Sequence, residues 1–529
     1  MTNTNGINVE DFNIIKEGRT QILTPKKDQV FYNPIQQFNR DLSIMGIKAY
    51  IALRQASHDT KYKDQEASKK KKLNNIKILE ALSATGLRAI RYAQELEGQY
   101  EKIVANDLLP EAVKSIERNI EYNQVENVVS NLGDAITYMA SSSEKFHIID
   151  LDPYGTASPF IDSAIQAVEN DGMLIVTCTD AGVIAGSGYP EKCFALYGGN
   201  NFGTPMINSE ANHEVGIRLI LGMIGATAAK YKKSIEPVLS LSIDFYFRLF
   251  VRVKTSPLEV KKLSSKTMIS YGCNGCGHKA HQYFGKIKDE KKFQYPKSTA
   301  NIGSNCQYCG NDYNIAGPMY GMPLHNEEFI NKILEINNNS DKSIFGTTER
   351  IKGMLTMAKN ELNNEPFYFN LNQLSSLFKS PPISIDQFAR AIGNGGYDMS
   401  LTHAKKNCIK SDAPWEYILN INLEWMKRNN ELVIKELESK SEELSEKNKE
   451  KLSKLKEDIY YNASLSPTSI GYNIIEYFKK NNTKQYPQVD FDKENQVSLK
   501  IAKLRKVKMV RYQENPTKNW GPKARPSSK

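Results

Sequence analysis

The stretch FHIIDLDPYG, residues 146–155, runs an apolar segment directly into Asp152, Pro153, Tyr154 and Gly155. Proline removes a backbone donor and glycine permits tight backbone, so the chain must leave its strand here. A carboxylate and a flat ring are then held at the strand's edge. That pairing suits a flat substrate bearing an exocyclic amine, as in guanine or adenine. The amine's lone pair is delocalised into its ring, which makes it a poor nucleophile. Asp152 can accept an N–H hydrogen bond, let the lone pair localise, and receive the proton after transfer. The Pro153 carbonyl is a fixed second acceptor and Tyr154 a stacking face. Asp150 reads as support for the strand end. Methyl transfer to such an amine is mainly positioning of methyl, amine and acceptor in line. Without neighbours, Asp-Pro-Tyr-Gly would be only a turn.

The flanking chain alternates strand and helix. Residues 76–79 read as a short strand ending at Glu80, and small residues from Ala81 to Gly86 lead into a helix over 87–96. Residues 103–107 form a strand closed by Asp107, 110–119 a helix, and Gly133-Asp134-Ala135 ends a third segment. After the opening stretch come a helix over 159–168 and a strand over 172–180. The alternation predicts an α/β fold with a mainly parallel, doubly wound sheet. Ligands of such sheets lie at the carboxyl ends of the strands. Ser83, Gly86, Asp107, Asp134 and Asp152 converge there. Small residues in the first turn let a ligand approach the backbone and the helix N-terminus. Asp107 stands 21 residues past Gly86, which suits an acid that bonds a ribose hydroxyl. A nicotinamide enzyme usually carries G-x-G-x-x-G around a pyrophosphate, whereas this turn holds a single glycine. S-adenosylmethionine has no phosphate and is favoured over NAD. Asp134 with Ala135 suits contact with the adenine amine.

A second constellation is Cys273, Cys276, Cys306 and Cys309, two C-x-x-C pairs each followed by Gly. Four thiolates meet the tetrahedral demand of structural Zn²⁺, although 29 intervening residues exceed the usual spacing. Two unrelated pairs of buried thiols are the alternative. His278 and His281 read as surface residues. Elsewhere, residues 16–23 read as a small strand, Pro34 as the opening of a helix through Ile51, and 240–254 as one half-buried strand. The glycines after residue 181 read as a lid over the substrate.

The composition, 40% hydrophobic and 25% charged, is that of a globular chain. No apolar run reaches the roughly 18 residues that a bilayer span needs. The N-terminus lacks a basic and an apolar signal region, so an intracellular compartment without disulfides is expected. The net charge is +10, and residues 500–529 carry ten Lys or Arg against Glu514 alone. A basic tail on a balanced chain points to a polyanionic partner or a localisation signal.

The motifs FYNPIQQFNRDLSI, EALSATGLRAIRYA, NDLLPEAVKSIERNI, GDA, DLDPYGTASPFIDSAI and SDAPW, in this order, resemble the tRNA guanine-N2 dimethyltransferase family, which acts on guanosine 26. The resemblance runs from about Arg19 to the WGPKARP near the end. It implies a Rossmann-like, S-adenosylmethionine-dependent methyltransferase domain and a C-terminal domain that helps hold tRNA. It also implies that Arg40 and Arg88 lie in the cofactor site, Asp107 at the ribose, and Asp134 and Ala135 at the adenine. Asp152 would be the catalytic carboxylate, with Phe31 and Tyr154 flanking the guanine. The expected layout is a leader over 1–16, the methyltransferase domain over 17–255, and an α+β tRNA-binding domain over 256–529. The last contains a zinc-knuckle module over 268–315, a charged helical insertion over 422–458 and the basic tail over 500–529. The expected partner is tRNA, with no membrane and no obligatory protein partner. The nucleus is the expected compartment, with cytoplasm and mitochondrion as alternatives. A non-catalytic zinc-containing RNA-binding protein, or an N-methyltransferase on another RNA or protein amine, is the competing reading.

Overall fold

The computed structural model describes residues 8–26, 32–61, 76–204, 206–289, 292–300, 302–440, 444–481 and 486–509. Phe31, the lysines at 69–72 and residues 510–529 of the basic tail lie outside these. The chain enters through a hairpin of β1 (Phe12–Glu17) and β2 (Thr20–Pro25). The single strand expected over 16–23 is thus two strands, because Gly18 at φ 60° lets the chain reverse within two residues. A short 3₁₀ turn at Pro34–Gln36, capped by Asn33, leads into α1 (Gln37–Lys61). That helix outruns the expected end at Ile51, since no Gly or Pro interrupts the polar residues beyond it.

The central sheet has seven strands: β3 (Lys77–Glu80), β4 (Lys102–Asp107), β5 (Val128–Leu132), β6 (Phe146–Leu151), β7 (Val168–Cys178), β8 (Lys233–Ile243) and β9 (Tyr246–Thr255). Their order is β5-β4-β3-β6-β7-β9-β8. β3 to β7 are parallel, and β9 runs antiparallel to both its neighbours. One face packs on α1, α2 (Leu87–Glu95) and α3 (Pro110–Asn123). The other packs on α4 (Ala135–Ser141), α5 (Ile161–Ala167) and the helix Asn212–Lys230. Within β6, Ile148 goes to the first face and Ile149 and Leu151 to the second, so the strand is buried on both sides. The same double burial corrects the reading of 240–254. Its alternation is that of two fully covered strands, β8 and β9, joined by a two-residue turn at Asp244-Phe245, with Asp244 at φ 48°.

Beyond the sheet, β10 (Thr267–Cys273) pairs with β11 (Lys279–Tyr283) and, past a hairpin of β12 (Lys286–Asp289) and β13 (Lys292–Gln294), with β14 (Tyr313–Tyr320). A third core gathers helices from Leu371–Leu377 to Gln496–Arg505. Residues 422–426, expected to open a charged insertion, are interior. Asn422, Leu423 and Met426 are buried in the helix Trp415–Ser439, and the exposed, charged part lies beyond them. No helix among the described residues is long and apolar enough to cross a membrane.

The sheet ends at β8, and an open edge would leave backbone groups unpaired. The C-terminal half covers it. Asn326 N donates to the Val238 carbonyl at 3.0 Å, Ser240 N to His325 Nδ1 at 3.4 Å, and Ser242 N to His403 Nε2 at 3.0 Å. His403 therefore carries its proton on Nδ1, which donates to Glu361 at 2.6 Å. Lys410 joins Glu361 at 3.3 Å to Glu214 of the Asn212–Lys230 helix at 3.0 Å. His325, Glu361 and His403 are close enough to hold a metal ion. Each ring, however, spends one nitrogen on a backbone N–H of β8; His403 donates to Glu361 from the other, and His325 Nε2 is left without a hydrogen-bond partner among the described residues. Replacing His403 by Leu strands the Ser242 N–H and part of Glu361. It should cost about 2–4 kcal/mol in urea unfolding, and a loss below about 0.5 kcal/mol would contradict the edge-capping role.

Candidate active site

The carboxyl tips of β3, β4, β5 and β6 lie along one edge of the sheet, with β3 between strands reached by opposite crossovers. Ala84 at φ 52° and Gly86 at φ 78° fold the turn after β3 back on itself, ahead of α2. Asn106 fastens the tips together, donating to the Ala81 carbonyl at 2.9 Å and to the Gly133 carbonyl at 3.1 Å. Asp107 accepts from Ala84 N at 2.9 Å and from Leu109 N at 3.0 Å. Asp134 caps α4 by accepting from Thr137 N at 2.8 Å, and Ala135 is buried behind it. Around these acids Leu108, Leu109, Leu132 and Ile136 are exposed. Apolar side chains left open beside two acids at strand tips fit a nucleoside, which would cover the former and bond the latter.

β6 delivers two acids with different surroundings. Asp150 is fully buried and accepts from Arg248 at 2.9 Å on each oxygen, from Arg88 at 3.3 Å and from the Tyr92 hydroxyl. Burial alone would raise its carboxyl, but Arg248 and Arg88 outweigh that and hold it below the ordinary range. Asp152 is one-quarter exposed at its side chain. Arg88 and, at 3.4 Å, Asn39 both donate to its Oδ2. Oδ1 has no partner among the described residues. Arg88 also reaches Ser43 at 3.2 Å and lies 3.6 Å from Glu80, which sits beside Asp150 across the β3–β6 register.

Pro153 is buried, while 41% of Tyr154 is exposed. The Tyr154 hydroxyl is pushed up to about 12 by partial burial and by the Asp152 and Asp107 carboxylates. Gly155, at φ 79°, donates to Thr179 Oγ1 at 2.8 Å and accepts from Thr179 N at 2.8 Å, which fixes the exit from β6. Thr156 meets the Tyr197 hydroxyl at 2.7 Å, and Tyr197 donates to Asp180 at the end of β7.

Ser83 is buried and donates to Glu80. Arg40 sits apart from the strand tips. Its guanidinium is clamped by Glu17 of β1, with Nε to Oε1 at 2.6 Å, and by the Asn33 carbonyl at 3.1 Å, with the Tyr32 ring 5.5 Å away. Arg91 shares Glu17 and adds Asp41 and Glu95, so the entry hairpin is bolted to α1 and α2 by buried ion pairs. Arg248, Tyr92 and Ser43 were not singled out in the sequence. The signal for Arg248 is a cation inside the otherwise apolar run FYFRLFV.

The four cysteines come together and none forms a disulfide. Sγ of Cys273 and Cys309 are 3.4 Å apart, and those of Cys276 and Cys306 are 3.6 Å apart. These separations are close to the spacing of tetrahedral thiolates at about 2.3 Å from zinc. Gly275 N lies 3.3 Å from Cys273 Sγ. His278 and His281 are half-buried rather than fully exposed. They bond Tyr313 and Ser270 at 2.9 and 2.8 Å, and burial drives the His281 ring down to about 3.

Residues 4–422 match the family described as N2,N2-dimethylguanosine tRNA methyltransferase. The mitochondrial tRNA (guanine(26)-N(2))-dimethyltransferase of Saccharomyces cerevisiae is 45% identical over 568 aligned positions, covering 99% of this chain and 94% of the relative. The tRNA (guanine(26)-N(2))-dimethyltransferase of Schizosaccharomyces pombe is 39% identical, covering 97% and 93%. The structure of Trm1 from Pyrococcus horikoshii in complex with S-adenosyl-L-methionine superposes with a TM-score of 0.62 at 26% identity, over 77% of this chain and 98% of that one. The strand order, the acids at the strand tips and these likenesses agree, and the chain belongs to the family of tRNA methyltransferases that make N2,N2-dimethylguanosine.

Proposed function

We propose that this chain transfers methyl groups from S-adenosylmethionine to the exocyclic N2 of guanosine 26 in tRNA, giving mono- and then dimethylguanosine, with Asp152 as the amine's acceptor. The observation that carries the role of Asp152 is the asymmetry of its carboxylate. Arg88 and Asn39 pin Oδ2, and Oδ1 stays open beside the exposed Tyr154 ring. A pinned carboxylate with one open oxygen can take an N–H bond without first reorganising. Pro153 offers its carbonyl to the second N–H, and Tyr154 stacks on the base. Phe31 is proposed as the opposing ring on resemblance alone. The base must leave its stack to reach this edge, at a cost of roughly a few kcal/mol.

S-adenosylmethionine supplies an electrophilic methyl on a sulfonium, and its departure needs no general acid. Ser83, Gly86, Asp107, Asp134 and Ala135 are proposed to hold it at the tips of β3, β4 and β5. Arg40 and Arg88 support that site from behind in this reading, Arg88 by fixing Asp152 and Arg40 by fixing the entry hairpin. Cys273, Cys276, Cys306 and Cys309 are proposed to hold structural Zn²⁺, and their module and the basic tail to grip the tRNA. The tail argues for the nucleus and the yeast relative is named mitochondrial, so both compartments stand within the proposal.

Two guanidiniums, Arg88 and Arg248, face three carboxyls, Asp150, Asp152 and Glu80. The cluster is neutral if Glu80 keeps its proton. Burial, outweighing Arg88, accordingly pushes the Glu80 carboxyl up to about 8.

Asp152→Asn keeps the shape but cannot accept the proton. It should cut methyl transfer to guanosine 26 by about 10²-fold or more, with binding of S-adenosylmethionine retained by calorimetry. Wild-type rates in the variant, or methyl groups found only in another RNA or a protein, would sink the reading. Glu80 has a raised folded pKa, so its contribution is full below the unfolded value near 4.5 and is lost as pH rises through about 8. Stability should then fall by up to about 1.4 kcal/mol per pH unit, and Glu80→Gln should flatten that slope. Chelation should release zinc at one ion per chain and lower Tm; an unchanged Tm with no zinc released would remove the metal.

A further inference from the structure

The glycine-rich segment after β7, expected as a lid, is a braced helix that presents two bare rings beside the pocket. The helix Pro190–Tyr197 is capped at its entry by Tyr189. Cys193 and Tyr197 bury its inner face. Three bonds fix it. Tyr197 joins Thr156 at 2.7 Å and Asp180 at 2.8 Å, Ser158 donates to the Leu196 carbonyl at 2.8 Å, and Asn201 ties back to the Ile184 and Gly186 carbonyls at 3.0 and 2.7 Å. Thr156 is two residues past Tyr154, so the helix is mounted directly on the Asp-Pro-Tyr-Gly exit. On its outer side Tyr189 is 56% and Phe194 54% exposed. Lys192 lies between them in sequence, exposed, and close enough to Asp180 to counter the upward push of burial on that carboxyl.

Large rings held rigidly in water cost solvation without contributing packing. Continuity with the pocket says what covers them. A guanosine drawn out of its stack remains bonded to its neighbours in the RNA chain, and those nucleotides must cross the rim next to Tyr154. Bases have π-faces that stack on aromatic side chains irrespective of sequence.

We propose that Tyr189 and Phe194 form a stacking platform for an unpaired tRNA base adjacent to the target guanosine. The platform rests on the proposed reaction for the location of the pocket, but base stacking is measured without methyl transfer. The test uses the full chain and a tRNA carrying 2-aminopurine next to guanosine 26. Wild-type protein should quench its fluorescence. Phe194→Ala and Tyr189→Ala should each lose most of the quench and raise KM for tRNA about tenfold, with kcat, Tm and affinity for S-adenosylmethionine unchanged. Phe194→Trp should keep both signals, whereas Phe194→Leu, equally apolar, should lose them. Full quenching in Phe194→Leu, an unchanged KM in both alanine variants, or a parallel fall in Tm and in S-adenosylmethionine affinity would each overturn the platform. A wild-type chain that quenches but does not methylate guanosine 26 would count against the proposed reaction and leave the platform standing.

Discussion

Arg88 is the constraint on which the site depends. A guanidinium buried this deeply is tolerable only when its donors are matched by charge and lone pairs. Here Asp150, Asp152, Ser43 and Glu80 surround it. It takes up the charge of Asp150 at the centre of the sheet and fixes one oxygen of Asp152 at the rim. The apolar character of β6 follows from the same requirement. A strand covered on both faces can carry Asp150 only because Arg88 from α2 and Arg248 from β9 meet it there, with Tyr92 filling the remaining acceptor site. Removing Arg88 takes the guanidinium from Asp152, and removing Arg248 takes two bonds from the buried Asp150, a defect of about 3–5 kcal/mol two residues before the proposed acceptor.

The C-terminal half is joined to this sheet by a second buried charge set. Glu214 receives Arg218 at 2.8 Å and Lys410 at 3.0 Å, and also accepts from Phe367 N at 3.0 Å. Arg218 in turn donates to the Tyr320 and Met322 carbonyls at 3.0 Å, at the end of β14. One helix, Asn212–Lys230, therefore packs under the sheet and holds the strand leaving the cysteine cluster. Any RNA gripped by the cysteine module is registered to the strand tips through that helix. His325 and His403, bonded to β8, serve the same end at the sheet's edge, where they stand in for a further strand.

The parallel core was legible because its signals are local. Apolar strands, small-residue turns and helices alternate from Ile76 to Cys178, and the acids fall at strand ends that the alternation itself defines. The cysteine cluster was legible from spacing. Partnerships between distant residues were not. Arg248 meets Asp150 across 98 positions and Lys410 meets Glu361 across 49, and no local pattern reports either. Alternation misled at 240–254, because its polar residues Ser240, Ser242 and Arg248 are buried as deeply as the apolar ones between them and mark no solvent face. His278 and His281 were read as exposed because a polar ring beside a Lys-rich hairpin gives no hint that Tyr313 and Ser270 lie opposite.

The sheet edge holds several carboxylates, and sequence alone ranks them poorly. The ranking comes from asking which oxygens are already committed. Asp150 has both filled by arginines and a tyrosine, and Asp180 turns both of its oxygens to the single Tyr197 hydroxyl, which is also bonded to Thr156. Asp107 gives one oxygen to Ala84 N and the other to Leu109 N, which leaves each with room for a second, weaker bond of the kind a ribose hydroxyl makes. Asp134 keeps one oxygen after capping α4, but it sits at the tip of β5, three strands from β6. Asp152 alone combines an open oxygen, a clamp on its other oxygen and an exposed ring two residues away. Five acids of similar sequence context are thus separated by hydrogen-bond occupancy. In the proposed reaction the same accounting bears on Pro153: a residue with an N–H at that position would present a donor beside the proposed acceptors, and proline leaves only its carbonyl.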